Sequence, residues 1–231
     1  MALSPLQRIL AALKRRYGTP KPPAAGRDPL AHIVWEMVAY LAEDETRERA
    51  FATLKERVGL APSALRHTPL RVLAAICREG GPVQPEHRAR RMAEVAAIAE
   101  DEFDGNLGQV LAWDYAKAVR ALRRFPSVAE PGADRILMLC GSHAVLGMES
   151  NTLRVLCRLG YGVETKNYTK TYRSARDAAM AELPAKAAAM AEASLLLREH
   201  GKQTCKTSAP RCEECPVTSR CAWYQARART R

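Results

Sequence analysis

Apolar residues recur with a helical period along most of the chain, which is the pattern of amphipathic α-helices. The clearest case runs from Pro5 to Tyr17, where leucine and isoleucine side chains share one face and basic side chains lie opposite. Gly18 and the proline-rich residues after it cannot continue a helix, so we expect a linker over 18–28. No segment alternates strictly for long enough to predict a strand. The pattern therefore predicts an all-α fold.

Start and stop residues divide this pattern into separate helices. Asp28 followed by Pro29 predicts an N-cap and a first turn, and Asp44 opens another helix that closes at Gly59. The sequence shows no internal repeat and no low-complexity tract. Further helices are predicted at about 62–66, 69–79, 85–103, 106–112, 114–124, 133–140, 165–182 and 184–200.

The composition indicates a packed and basic protein. Of 231 residues, 47% are hydrophobic, which is enough for a core in one large domain or two small ones. The formal charge of +11 predicts a polyanionic partner, and we favour nucleic acid over a membrane surface. No apolar run approaches the length of a membrane-spanning helix, and the first residues do not form an export signal. We therefore expect a cytoplasmic protein that binds nucleic acid and no membrane.

Four of the seven cysteines lie within one short segment. Cys205, Cys212, Cys215 and Cys221 have the spacing C-x6-C-x2-C-x5-C, and thiolates this crowded repel one another unless a cation neutralises them. Zinc is the simpler alternative, but a zinc ribbon usually has two C-x2-C pairs, and here there is one. Unequal short steps favour a [4Fe–4S] cluster, and an odd cysteine count argues against disulfides. The other cysteines are expected to be buried thiols on helical faces: Cys77, Cys140 and Cys157.

The residues around these cysteines carry a family resemblance. His200-Gly201 precedes the motif and Pro210-Arg211 stands before its second cysteine, as in the C-terminal cluster loop of endonuclease III-type DNA glycosylases, which this segment resembles. The resemblance implies a two-lobed helical fold with a helical-barrel domain over 28–144, which carries a helix-hairpin-helix at about 114–140. It implies a second domain made of 1–27 and 145–231, with the iron–sulfur cluster loop at 205–221.

The segment from Phe125 to Leu137 is similar to the helix-hairpin-helix of the same family. Ser127 and Ala129 stand where the family's hairpin usually has glycine. A tight hairpin exposes backbone N–H groups. These groups can donate hydrogen bonds to a DNA phosphate without any contact to a base. An ordinary corner between two packed helices is the alternative interpretation.

A further segment is similar to the family's catalytic motif. Aligning on Arg154-Val155 places Glu149 at the catalytic aspartate, with Ser150 or Asn151 expected to cap the helix that follows. A carboxylate there can stabilise positive charge on a sugar and activate water. The alternative is a solvated glutamate at a helix start, favoured by the helix dipole.

Two departures from the family pattern bear on activity. Bifunctional members attack the sugar with a lysine, and at that position this chain has Pro131, which offers no amine. Leu41 aligns with a residue that many members insert into the base stack, and an apolar wedge can serve there, although Leu41 could equally be core. Asp134 is a second carboxylate near the hairpin, which we expect to be structural.

The resemblance implies a monofunctional DNA glycosylase that acts on a damaged or mismatched base in duplex DNA, as a monomer associated with the nucleoid. The alternatives are a catalytically inactive iron–sulfur protein that recognises distorted DNA and, more remotely, a redox sensor. Eight Lys or Arg against three Glu between Arg198 and Arg231 favour a phosphate-binding surface. The candidate DNA contacts are Leu41, Arg123, Arg124, Ser127, Val128, Ala129, Gly132, Lys202, Lys206, Arg211 and Arg220.

Overall fold

The computed structural model describes residues 2–229 and confirms the all-α prediction, since no strand occurs within that range. Its helices are α1 (Pro5–Tyr17), α2 (Pro29–Val38), α3 (Asp44–Arg57), α4 (Pro62–His67), α5 (Leu70–Glu79), α6 (Pro85–Phe103), α7 (Tyr115–Leu122), α8 (Glu130–Leu139), α9 (Ser150–Leu159), α10 (Tyr168–Met180), α11 (Ala187–Gln203) and α12 (Ala222–Ala228). Short 3-10 helices occupy Leu107–Ala112, Cys212–Glu214 and Thr218–Arg220. None of the helices within 2–229 has both the length and the apolar character that crossing a membrane requires.

Side-chain caps explain where the first two helices begin. Ser4 accepts a hydrogen bond from the Gln7 backbone N–H at 3.1 Å, and the Gln7 side chain accepts from the Ser4 N–H at 2.9 Å. This reciprocal pair is a capping box. Asp28 caps α2 by accepting from the Leu30 N–H at 2.9 Å. The predicted starts of both helices are confirmed, as is the end of α1 at Gly18, where φ is 77°.

The chain forms two compact units. One is Pro23–Ile136, and the other joins the residues up to Pro22 with those from Leu137 onward. In the 23–136 unit, α6 packs against α2, α4 and α5. Trp35 meets Phe51 edge to face with ring centres 5.1 Å apart, and Phe103 stacks on Phe125 at 5.5 Å. The second contact places an aromatic anchor directly before the turn that leads into α8.

In the other unit, α11 is the central helix, and α1 and α9 both pack against it. Leu6 and Leu13 on α1 and Leu197 on α11 are fully buried. Each leucine buried in this way contributes about 1.5–3 kcal/mol. The helix nearest the N-terminus is therefore held by an element much later in the sequence.

The α7–α8 turn differs from the expectation in where its second helix begins. α8 starts at Glu130 rather than near 133, because Pro131 lies in the first turn, where a helix does not need the N–H that proline lacks. Ser127 in the turn has a φ of 68°, in the left-handed region that a Cβ atom disfavours. The backbone thus adopts a glycine-like conformation at a position where this chain carries serine.

Ser127→Gly should increase the free energy of unfolding by about 1 kcal/mol, because glycine adopts this φ without a Cβ clash. The Tm should rise by about 2–4 °C for a chain of this size, which thermal unfolding followed by circular dichroism measures. Ser127→Ala is the matched control, because it keeps the Cβ atom and its strain and should not stabilise. Equal stabilisation by both variants would assign the effect to the hydroxyl group instead of to φ.

Candidate functional site

The four clustered cysteines surround one cavity. Cys205, Cys212, Cys215 and Cys221 all line the same small pocket. Short 3-10 turns that begin at Cys212 and end before Cys221 bend the chain back on itself. The loop thereby presents thiols from both of its ends to the same space.

Burial makes these thiols difficult to ionise. It raises the pKa of Cys215 to about 11, and the neighbouring thiols add repulsion in the same direction. The pKa values of Cys212 and Cys221 are also raised, again chiefly by burial. At neutral pH these three side chains are therefore protonated unless a cation binds them, and binding a cation would release protons.

The donor set fits an iron–sulfur cluster. Within residues 2–229, no three His, Cys, Asp or Glu side chains converge closely enough to hold a single metal ion. A zinc ion requires sulfurs about 2.3 Å from one centre. In a [4Fe–4S] cluster each thiolate binds a different iron, so the four sulfurs stand farther apart around a larger volume. Four thiols that line one pocket, with no three of them converging on a single point, are compatible with that arrangement.

His200 connects the cavity to α1. Its Nε2 lies 3.7 Å from the Cys215 sulfur, and its Nδ1 lies 2.9 Å from the Tyr17 hydroxyl, which also contacts the Thr204 hydroxyl at 2.8 Å. Burial lowers the pKa of His200 to about 4, so the ring is neutral at pH 7 and carries one N–H. With that proton on Nε2, His200 donates to Cys215 and accepts from Tyr17.

The remaining cysteines follow the expectation in two cases of three. Cys77 and Cys140 are buried, and burial raises the pKa of Cys77 to about 11. Cys157 is only partly buried, so its assignment as a buried thiol is wrong. It lies at the edge of the stripe of buried leucines on α9, where the helix surface begins to meet solvent.

Glu149 is itself the N-cap of α9, and the expected cap by Ser150 or Asn151 is wrong. Its Oε1 accepts from the Thr152 N–H at 2.7 Å, and its Oε2 accepts from Asn151 Nδ2 at 2.8 Å. The glutamate arm is long enough to reach the N–H groups that a shorter cap usually satisfies. The side chain is half-buried, so it is not a freely solvated carboxylate. Since a carboxylate has about four acceptor sites, part of Glu149 can still bind water or a ligand.

Hydrogen bonds connect Glu149 to the cysteine loop. Asn151 Oδ1 accepts from Arg154 Nη2 at 2.7 Å. Arg154 also donates to the carbonyl oxygens of Cys205 at 3.0 Å and Gly201 at 2.9 Å. A Cβ atom on Gly201 would lie 2.8 Å from Asn151 Cβ, so a glycine is what allows α11 to approach α9 here. The path through Asn151 and Arg154 fixes the carboxylate relative to the first clustered cysteine.

The segment that leads to Glu149 is irregular in conformation but well anchored. Residues 145–148 are buried. The Ser194 hydroxyl on α11 donates to the Gly147 carbonyl oxygen at 2.6 Å, and the Tyr172 hydroxyl on α10 donates to the Leu146 carbonyl oxygen at 3.4 Å. The position of the carboxylate is therefore fixed from both sides along the chain.

The α7–α8 turn offers backbone donors. Within the described chain, no acceptor is found for the backbone N–H groups of Ser127, Ala129 and Gly132. The Val128 N–H is used within the turn, where it donates to the Phe125 carbonyl oxygen at 3.2 Å. Two of these N–H groups lie in the turn and that of Gly132 lies in the first turn of α8, and together they are the kind of donors that a phosphate can bind.

The two arginines before this turn differ. Arg123 is exposed. Arg124 is also exposed, but its guanidinium donates to the Glu102 carboxylate at 2.8 Å, so its charge is partly compensated. Nearby, Asp134 is fully buried and accepts from the Tyr115 hydroxyl at 2.7 Å, as expected of a structural carboxylate.

Leu41 lies at the tip of the turn after α2. It is 81% exposed and has a φ of 50°, so the alternative that it belongs to the core is wrong. The buried Arg88 supports this turn by donating to the carbonyl oxygens of Val38 at 2.7 Å, Cys77 at 2.7 Å and Gly81 at 2.5 Å. Its burial is compensated by backbone oxygens, as a guanidinium with five donors allows.

The candidate cations of the cysteine loop differ in accessibility. Lys206, Arg211 and Arg220 are exposed, whereas Lys202 is half-buried. Sequence reasoning missed Arg154 and Arg158 as site residues. Their spacing of one helical turn on α9 was the signal available, but their partners are backbone oxygens distant in sequence, which no motif records.

The sequence comparison and the structure comparison both give endonuclease III as a similar protein. No protein-family model matches the chain. It is 25% identical to endonuclease III of Sulfolobus acidocaldarius over 205 residues, which cover 86% of this chain and 83% of that protein. A solved structure of a trapped covalent intermediate of endonuclease III with DNA is similar over 98% of this chain and 100% of that one, with a TM-score of 0.76 and 17% identity. The chain is similar to endonuclease III in sequence and in fold.

The chain is also similar in fold to a thermostable thymine-DNA glycosylase. The TM-score is again 0.76, at 17% identity, over 96% of this chain and 97% of that one. The resemblance stated from the cysteine motif is therefore confirmed, and the likeness of fold extends far beyond that motif.

Proposed function

We propose that this chain is a DNA glycosylase that binds duplex DNA and hydrolyses the N-glycosidic bond of a damaged or mismatched base. The observation that carries the proposal is the half-buried carboxylate of Glu149, anchored at the start of α9 and hydrogen-bonded toward a loop of four clustered thiols. Sequence likeness to endonuclease III over most of the chain supports the same reading. The protein would act as a monomer on cytoplasmic, nucleoid-associated DNA.

Glu149 supplies the chemistry in this proposal. Cleaving the bond between base and sugar builds positive charge on the sugar, and a carboxylate held beside it stabilises that charge. The acceptor sites of Glu149 that Thr152 and Asn151 do not use can accept a proton from an attacking water. Because both neighbours fix the carboxylate before substrate arrives, little reorganisation is needed during the reaction.

The four cysteines would hold a [4Fe–4S] cluster that shapes the loop between them. When bound, the cluster supplies the positive charge that the buried thiols need in order to ionise. The loop then presents Lys206, Arg211 and Arg220 to phosphates, with Lys202 beside them. In the other unit, the N–H groups of the α7–α8 turn and the side chain of Arg123 would bind the DNA backbone, and Leu41 would act as an apolar wedge.

Pro131 supports a monofunctional reaction. Endonuclease III has been captured in a covalent complex with DNA, and proline at this position offers no amine for such a bond. In this proposal, water attacks the sugar instead, and the base is released by hydrolysis.

A catalytically inactive DNA-binding protein is the second candidate. The observation that favours it is the capping role of Glu149, since up to three hydrogen bonds from Thr152 and Asn151 occupy its two oxygens. A carboxylate so engaged has a structural reason to be present without any reaction.

Incubation with duplexes that carry uracil, oxidised, alkylated or mismatched bases should release one class of base and leave an abasic site. Strand breaks should appear only after alkali, and borohydride should trap no covalent adduct, because the reaction forms no imine. An adduct mapped to a nearby amine such as Lys117 would contradict the monofunctional assignment. DNA binding without release of any base would favour the inactive alternative.

Glu149→Gln should lower turnover by about a hundredfold or more while DNA affinity is unchanged or tighter, because the charge is lost and the size is kept. The structure shows one complication: a glutamine amide would face the Asn151 amide, donor against donor. Glu149→Gln with Asn151→Asp restores that hydrogen bond and keeps the net charge.

The double variant separates catalysis from capping. It should recover the Tm of the wild-type protein and stay inactive if the carboxylate must be at position 149. Full activity in the Glu149→Gln protein would refute the catalytic assignment.

Purified protein should contain about four irons per chain, and Cys212→Ser should reduce iron content, Tm and DNA affinity together. Metal analysis, thermal unfolding and a DNA-binding titration measure the three effects. The Cys157→Ser protein is the control. Because Cys157 lies outside the loop, this variant should keep its iron. Stoichiometric zinc without iron, or unchanged DNA affinity in iron-free protein, would contradict this role of the loop.

A further inference from the structure

Arg158 makes an unusual set of contacts at the start of the cysteine loop. Its Nη1 donates to the Cys205 sulfur at 3.3 Å and to the Lys206 carbonyl oxygen at 2.7 Å. Its Nη2 donates to the Thr207 carbonyl oxygen at 3.0 Å. One guanidinium thus binds the first clustered thiol and the next two peptide groups along the chain.

The same guanidinium is held from another side by an aromatic ring. Its central carbon lies 4.8 Å from the ring centre of Trp223 on α12, and Trp223 also lines the cavity of the four cysteines. Arg227 stacks on the same ring at 4.6 Å. A planar guanidinium combines such stacking with directed hydrogen bonds, which the ammonium group of lysine cannot reproduce.

The backbone that Arg158 binds has little other support. Residues 206–209 are exposed, and Ala209 has a φ of 48°, a conformation that costs about 1–2 kcal/mol for a residue with a Cβ atom. Lys206 lies in this stretch, with its carbonyl oxygen on Arg158 and its side chain exposed. The hydrogen bonds from Arg158 to the carbonyl oxygens of residues 206 and 207 therefore fix the backbone from which the Lys206 side chain extends.

We infer that Arg158 is a positioning residue that couples the bound cluster to the DNA-contacting segment of the loop. It would donate a charge-assisted hydrogen bond to the thiolate of Cys205 and hold the Lys206 backbone with the same group. Arg158 itself contacts no phosphate in this assignment, because three of its hydrogen bonds go to the loop and its face covers Trp223. The inference rests on the proposed cluster and DNA binding.

Two substitutions test it in the iron-loaded protein. Arg158→Lys keeps the charge and loses the planar fork, and Arg158→Gln loses the charge as well. Both should retain iron, because the four thiols remain, and both should change the visible circular dichroism of the cluster. DNA affinity should fall by about tenfold, as expected from the loss of two or three hydrogen bonds.

The salt dependence distinguishes positioning from direct contact. A mispositioned Lys206 should lower the slope of log affinity against log salt by up to about one in both variants, as Lys206→Ala does, and combining Arg158→Gln with Lys206→Ala should lower it no further. Arg66→Lys is the matched control, because Arg66 pairs with Glu100 and Asp101 in the other unit and should change neither dichroism nor affinity. Trp223→Leu, which leaves every thiol and Arg158 in place, should weaken binding in the same direction.

The results that overturn the inference are distinct from those that overturn the function. Wild-type protein without iron, or without salt-dependent DNA binding, would refute the proposed function. Wild-type protein with both properties, together with Arg158→Lys protein that has unchanged dichroism and affinity, would refute the coupling alone. So would a slope lowered by about two in protein that combines Arg158→Gln with Lys206→Ala, or the loss of iron from Arg158→Lys protein that remains folded.

Discussion

Carbonyl oxygens at the ends of helices need donors, and in this chain buried or half-buried arginines provide them. A helix leaves about four carbonyl groups unpaired at its C-terminus, with partial negative charge concentrated there. Arg88 binds such oxygens in the last turns of α2 and α5, and Arg154 binds the Gly201 oxygen near the end of α11. The turns that follow α2 and α11 carry candidate functional groups, so the shapes of these turns depend on guanidinium–carbonyl hydrogen bonds.

This arrangement explains why the candidate site can be built from irregular segments. Neither the cysteine loop nor the Leu41 turn buries much apolar surface of its own, and left-handed residues such as Leu41 and Ala209 add backbone strain. Hydrogen bonds to a planar cation offset that strain without closing the surface to a ligand. Loss of one such arginine would leave several oxygens without donors at once, so its effect should exceed that of an ordinary surface charge.

The sequence predicts the regular parts of this structure well, because they depend on local chemistry. Apolar spacing defines α1, the cap at Asp28 defines the start of α2, and the cysteine spacing identifies the loop that gathers four thiols. Local rules give the wrong N-cap for α9. N-cap preferences favour Ser150 or Asn151, but the longer side chain of Glu149 is the N-cap in the structure. The arginine contacts lie beyond such rules, since Arg154 and its carbonyl partners are 47 and 51 residues apart.

The pairing of α1 with α11 has a consequence for how the chain folds during synthesis. Tyr17 and its partner His200 are 183 residues apart, and the unit Pro23–Ile136 lies entirely between them. That intervening unit is complete on the ribosome well before α11 exists, so it can fold first as an independent nucleus. Until α11 is synthesised, the apolar face of α1 has no packing partner. Chaperone binding to this face, or aggregation through it, is therefore strongest in the nascent chain.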